Sequence, residues 1–108
     1  MQNIETQVTD VLIAELKVKH GQVLHLATED GEAVFRSPNR HEWAAYLAAL
    51  SGDDKATATR DLVFQCCVWP AAPEFLKLTE KRPGIVLSFG GELVEFAGVK
   101  KTQIRKVY

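Results

Sequence analysis

Gln22-Val23-Leu24-His25-Leu26-Ala27-Thr28-Glu29-Asp30-Gly31-Glu32-Ala33-Val34-Phe35-Arg36 is the stretch on which the fold class turns. Val23, Leu24, Leu26, Val34 and Phe35 flank Asp30-Gly31, a dipeptide suited to a tight hairpin turn because positive φ is needed at its centre. The pattern predicts strands at 22–28 and 32–36. A lone two-stranded hairpin is marginal in water, so helices must cover it, and the fold is then mixed and not all-helical.

Working outward from the hairpin, Ile4, Val8, Val11, Leu12 and Leu16 lie at helical spacing before it. A helix over 9–19 follows, with Thr9 or Asp10 as cap and Gly21 as stop. After the hairpin, Ser37-Pro38 opens a helix expected over 38–50, with Trp43, Tyr46, Leu47 and Leu50 on one face. Asp53 or Asp54 then caps a helix over 55–68. Its end, Leu62-Val63-Phe64-Gln65-Cys66-Cys67-Val68-Trp69, is apolar on nearly every side and is expected to be the most buried part of the protein. Pro70 ends it, because proline pushes the preceding residue out of the helical region. Pro73 starts a short helix to Lys81 with Phe75, Leu76 and Thr79 inward, and Arg82-Pro83-Gly84 breaks the chain again.

Residues 85–97, Ile-Val-Leu-Ser-Phe-Gly-Gly-Glu-Leu-Val-Glu-Phe-Ala, fit two structures. As strands they form a hairpin turning at Gly90-Gly91. As a helix they place Val86, Phe89, Leu93 and Phe96 on one side, with Gly98 as stop. Two internal glycines cost roughly 2 kcal/mol in a helix, so local pattern favours the hairpin.

At 108 residues the chain fits one domain, with 46% hydrophobic and 25% charged residues in the ordinary globular range. The expected division is a globular unit over 1–99 and a basic, mobile tail over 100–108, where Lys100, Lys101, Arg105 and Lys106 stand without an acid. The overall charge of -1 argues against binding nucleic acid or membrane by electrostatics. The adjacent Cys66 and Cys67 are too few for a disulfide framework, and the N-terminus has no secretory pattern; a reduced, cytoplasmic protein is expected.

Residues able to carry chemistry are sparse. His20, His25 and His41 lack metal-ligand spacing, and Cys66 and Cys67 sit in the most apolar stretch, where a thiol packs and does not react. Ser88 lies in no nucleophile elbow, and Gly90-Gly91 is too short to cradle a phosphate. Glu92 and Glu95 share a helix face at most. No catalytic, cofactor-binding or metal-binding residue is expected, and the chain is read as a binding protein, not an enzyme. Its aromatic residues belong mainly to a core, but a domain this small has limited interior. Trp43, Tyr46, Trp69, Phe75, Phe89 and Phe96 are therefore the candidate partner-binding residues.

The order of these signals carries a resemblance. It runs from Glu15-Leu16-Lys17-Val18-Lys19-His20-Gly21 through the Asp30-Gly31 hairpin to Phe35-Arg36-Ser37-Pro38-Asn39-Arg40. Glu42, Tyr46, Leu62-Val63-Phe64-Gln65-Cys66-Cys67-Val68-Trp69-Pro70, Arg82-Pro83-Gly84-Ile85 and Glu95-Phe96-Ala97-Gly98 continue it. Over about residues 15–98 this resembles the small tail assembly chaperones encoded before the tape-measure gene of long-tailed phages and prophages. The resemblance implies a mostly helical α+β domain of about five short helices with one β-hairpin in its N-terminal half, and it favours a helix at 85–97. It also implies a non-enzymatic role without cofactors: coating the tape-measure protein in the host cytoplasm until tail tube subunits replace the chaperone, which is absent from the mature virion. The tail tube protein and a second copy of the chain are further candidate partners. The rival expectation is a nucleic-acid-binding regulator acting through residues 100–108. It would need a basic recognition helix, and the one at 38–50 carries only Arg40.

Overall fold

The computed structural model describes residues 8–52 and 54–98. In chain order the elements are α1 (Asp10–His20), β1 (Val23–Thr28), β2 (Gly31–Arg36), α2 (Arg40–Leu50), α3 (Lys55–Cys66), β3 (Cys67–Trp69), α4 (Ala72–Lys81) and α5 (Gly84–Ala97). Among the described residues, five helices and an antiparallel sheet of strand order β1-β2-β3 make an α+β fold, with the expected hairpin in the N-terminal half.

The hairpin closes differently from the expectation. Thr28 pairs with Gly31, leaving Glu29-Asp30 as the turn, and the only positive φ among the described residues is Gly21, at 77°. Thr28 supplies the restraint: its hydroxyl donates to the Gly31 carbonyl and accepts from the Asp30 N–H, each at 3.2 Å. Gly31 is suited to its place by space, since a Cβ there would lie 2.9 Å from Leu78 Cδ1.

Pairing with β3 makes β2 the central strand, and Ala33, Val34 and Phe35 are fully buried. Alternation sends their side chains to opposite faces. Ala33 and Phe35 join Leu62, Val63, Cys66, Phe75, Ile85, Phe89 and Leu93 of α3, α4 and α5. Val34 joins Val8 and Leu16, with Leu12, Ile13 and Val23 around them. The Phe35 ring meets Phe75 at 5.9 Å and Phe89 at 5.8 Å, both edge to face, the arrangement favoured by the ring quadrupole. Val34 pairs with Trp69 but Phe35 pairs with Cys67, so Val68 is the extra residue of a bulge. Val68 and Trp69 accordingly pack in the Val34 cluster while Cys67 packs in the Phe35 cluster.

Three helix boundaries follow from local chemistry. Thr9 caps α1 by accepting from the Leu12 N–H, and Gly21 closes it. Asp54 caps α3 through the Thr57 N–H. The start of α2 corrects the expectation at Ser37-Pro38: the cap is Asn39, whose side chain accepts from Glu42 N–H at 2.8 Å while the Glu42 carboxylate accepts from Asn39 N–H at 2.9 Å. That reciprocal capping box satisfies donors that Ser37 would leave unmet. The helix expected to reach residue 68 ends at Cys66, because Cys67–Trp69 are drawn into the sheet against β2. Of the stretch expected to be most buried, Leu62, Val63 and Cys66 are fully so, Phe64 and 67–69 are half-buried, and Gln65 is exposed.

Residues 85–97 are helical, which overturns the local preference for a hairpin. Ile85, Phe89 and Leu93 are buried at i, i+4 and i+8. Burying a large apolar side chain contributes about 1.5–3 kcal/mol, so three of them outweigh the roughly 2 kcal/mol cost of two glycines. Gly90 has a further reason: a Cβ there would sit 2.4 Å from Thr59 Cγ2 of α3, whereas Gly91 faces open space.

Arg36 ties the end of the hairpin to two helices. Its guanidinium donates to both oxygens of Glu42, at 2.6 and 2.7 Å, and to the Gln65 carbonyl at 3.0 Å near the end of α3. The Arg36 hydrogen bonds, followed by the Asn39 N–H, hold the Glu42 carboxyl down to about 2 against the opposing effect of burial.

Two outcomes follow from this architecture. Gly90→Ala forces α3 and α5 apart and lowers unfolding free energy by about 1–3 kcal/mol, while Gly91→Ala raises it by roughly 0.5–1 kcal/mol; chemical denaturation of both variants checks the contrast. Because the folded Glu42 value lies below the unfolded one, its contribution is complete above about pH 5 and is lost as pH falls towards about 2. Glu42→Gln, which keeps a capping-box side chain, is therefore less stable than the wild type by about 1.5–3 kcal/mol at neutral pH, with the gap closing under acid denaturation.

Candidate functional site

The six aromatic residues singled out by sequence do not form one exposed surface: five of them belong to or pack against the Phe35 cluster. Trp43 and Tyr46 are half-buried on α2, their rings 5.4 Å apart and tilted by 35°. Trp69 is half-buried in the Val34 cluster, and Phe96 is half-buried against the Phe35 cluster from the far end of α5. Phe75 and Phe89 are 1% and 2% exposed, held by the edges they present to Phe35. They build the core and offer no surface to a partner in this folded state.

Exposed apolar surface lies elsewhere. Ala56, Thr57 and Arg60 of α3, Leu76, Thr79 and Glu80 of α4, and Pro83, Val86 and Leu87 at the start of α5 line an open groove of about 370 Å³. Leu76 was expected to point inward with Phe75 and Thr79, but it is 39% exposed, and Leu87 is 63% exposed. The reason is helical geometry: Leu76 stands about 100° round α4 from Phe75, and Leu87 about 200° round α5 from Phe89. Neither position belongs to the buried stripe of its helix.

The polar groups in the groove's walls are largely committed. The Thr79 hydroxyl donates to the Leu76 carbonyl at 2.8 Å. The Ile85 and Val86 N–H groups donate to the Arg82 and Pro83 carbonyls. Arg60 and Glu80, on different helices, have no ion-pair partner among the described residues. The Arg60 guanidinium rests 5.3 Å from the centre of the Phe64 ring, a cation–π contact that holds the charge at the rim.

Two other concavities are less suited to a ligand. One between α2 and α3, beside Tyr46, Asp61 and Gln65, holds only about 80 Å³. A wide one beside Lys81, Gly84 and Ser88, about 450 Å³, is crossed by the Arg82–Asp30 ion pair at 2.9 Å.

The groups able to react are placed for structure. Burial pushes the Cys66 and Cys67 thiols up to about 11, so both are protonated near neutrality. The Cys67 Sγ lies 3.3 Å from the Trp69 carbonyl oxygen. His25 Nε2 is 2.9 Å from Glu32 Oε1, and Glu32 also accepts from the Val8 N–H, which fastens the start of the described chain to β2. His20 and His41 are exposed. Among the described residues no group of three or more His, Cys, Asp or Glu side chains could hold a metal ion, and no helix is long and apolar enough to cross a membrane. The basic segment 100–108, and with it the nucleic-acid alternative, lies outside the described residues.

Sequence reasoning missed the groove because 85–97 was undecided between hairpin and helix. Once α4 and α5 are helices, the signal is legible: leucines off the buried stripe in two consecutive helices. For the thiols, a value near 11 leaves about one thiolate in a thousand at pH 8, against about a quarter for an ordinary cysteine. Native protein should therefore react with a disulfide reagent such as DTNB at least ~100-fold more slowly than denatured protein; rapid stoichiometric labelling of the native state contradicts this.

Curated proteins yield no match to this chain. One solved structure, of an uncharacterised protein from Bacillus stearothermophilus, is similar to it: the TM-score is 0.69 at 26% identity, over 86% of this chain and 98% of that one. The matched family model spans residues 16–106, from Leu16 in α1 to beyond the end of α5, and the chain belongs to that family, described as a domain of unknown function, DUF6848.

Proposed function

We propose that this protein is a tail assembly chaperone of a long-tailed phage or prophage, binding the tape-measure protein in the host cytoplasm until tail tube subunits take its place. The observation that carries the proposal is the groove between α3, α4 and α5, where Leu76 and Leu87 are exposed while the other large apolar residues of α4 and α5 are buried or half-buried. The motif order over residues 15–98, which resembles that of such chaperones, gives the groove its expected client.

A tape-measure protein is long, and as a helical chain it has apolar faces uncovered until the tube closes around it. A useful chaperone covers those faces weakly enough to be displaced. A shallow groove with two exposed leucines suits modest affinity, and many copies along one client gain occupancy by repetition. Both thiols are protonated and buried or half-buried, so binding and not covalent chemistry is the activity these residues support.

Co-expression is expected to keep the tape-measure protein encoded beside this gene soluble, with several copies of the chaperone retained per client in a pull-down. An unrelated helical protein of similar length serves as the control. Equal retention of the two, or of neither, overturns the proposal.

A further inference from the structure

We infer that the α3–α4–α5 groove takes an amphipathic α-helix of the client, seated on Leu76 and Leu87, with an acidic side chain towards Arg60 and a basic one towards Glu80; the inference rests on the chaperone reading and names the surface and ligand class within it. The walls decide the conformation of the guest. All three are helices; the first N–H groups of α5 beside the groove are committed to Arg82 and Pro83, and the Thr57 N–H in the first turn of α3 is committed to the Asp54 side chain. An extended peptide laid there would leave its own N–H and C=O groups without partners from the walls, whereas a helix satisfies them internally. The lining has matching periodicity: Leu76 and Glu80 are four apart, as are Pro83 and Leu87 and also Ala56 and Arg60, so each wall presents a helical ridge for side chains of a fourth helix to pack between.

Charge fixes the remaining chemistry. Arg60 and Glu80 are exposed, lie on different walls and lack ion-pair partners among the described residues. Opposite charges on two rims match a guest whose apolar stripe is bordered by acid on one side and base on the other, and they set its direction in the groove. A helix bordered by a single sign would meet a like charge on one rim.

The test uses the full chain and a synthetic helical peptide of about 20 residues, long enough to hold a helix. It has leucines at i, i+3, i+4 and i+7, glutamates along one flank and lysines along the other. A peptide of equal composition with leucines at alternating positions is the control. By fluorescence anisotropy the helical peptide binds at least about tenfold more tightly than the control. Leu76→Asp and Leu87→Asp each weaken it by about 30-fold or more, as for a central contact, with unchanged denaturation midpoints because both sites are exposed. Arg60→Glu, which puts an acid on both rims so that neither direction suits the glutamate flank, weakens it about threefold to tenfold, and a peptide with lysines along both flanks restores binding. Equal affinity for the two peptides, or indifference to both aspartate variants, overturns the inference. So does a wild-type dimer that Leu87→Asp dissociates, since a second copy is then the occupant. The pull-down separates the two claims. Full retention of the tape-measure protein by both aspartate variants leaves the chaperone standing and removes the groove. Peptide binding in the groove without retention of the tape-measure protein does the reverse.

Discussion

Burial of β2 on both faces is the constraint from which the rest of the molecule follows. Ala33, Val34 and Phe35 are consecutive and fully buried, so neither face of the central strand can meet water. One face requires α1, which supplies Leu16 to Val34; the other requires three helices to enclose Phe35. Phe35 places two of them through its edge contacts with Phe75 and Phe89, and α3 supplies Leu62, Val63 and Cys66 beside them. Arg36, the next residue along β2, anchors α2 through Glu42 and reaches the end of α3 through Gln65.

The groove is a consequence of that arrangement. When Phe75 and Phe89 turn to Phe35, Leu76 and Leu87 are rotated off the buried stripes of α4 and α5 by helix geometry alone. Gly90 brings α5 close to α3 at Thr59, and the shallow space bounded by Ala56, Leu76, Val86 and Leu87 remains between the three helices. A surface of this kind costs little stability, because the large aromatic residues stay inside. It offers apolar contact without deep burial, which suits the proposed client, a chain that must later be released.

Much of this fold was legible because much of it is local. Thr9, Gly21 and Asp54 act where they stand in sequence, and the hairpin was announced by Val, Leu and Phe around a turn. The features that escaped prediction depend on distant partners. β3 exists only because Val34 and Phe35 offer an edge to Cys67 and Trp69. The helix through Gly90-Gly91 looks costly until Thr59 is placed against it, and Gly31 looks like a turn residue until Leu78 is. Asn39 and Glu42 were within reach of a local argument, since their spacing is that of a capping box, but Ser37-Pro38 gave a competing start. For the candidate site, residue type was a poor guide: aromatic character pointed to Phe75 and Phe89, which the core takes, while the groove belongs to leucines set apart by their phase on each helix.

Amide hydrogen exchange of the full chain, with and without the tape-measure client, tests the central claim most directly. Binding of the proposed client should slow exchange across residues 56–60, 76–80 and 83–87 together, and leave β1, an edge strand of the sheet, unchanged. Protection confined to β1 or to α2, with the three groove segments unaltered, would contradict the account and place the client elsewhere.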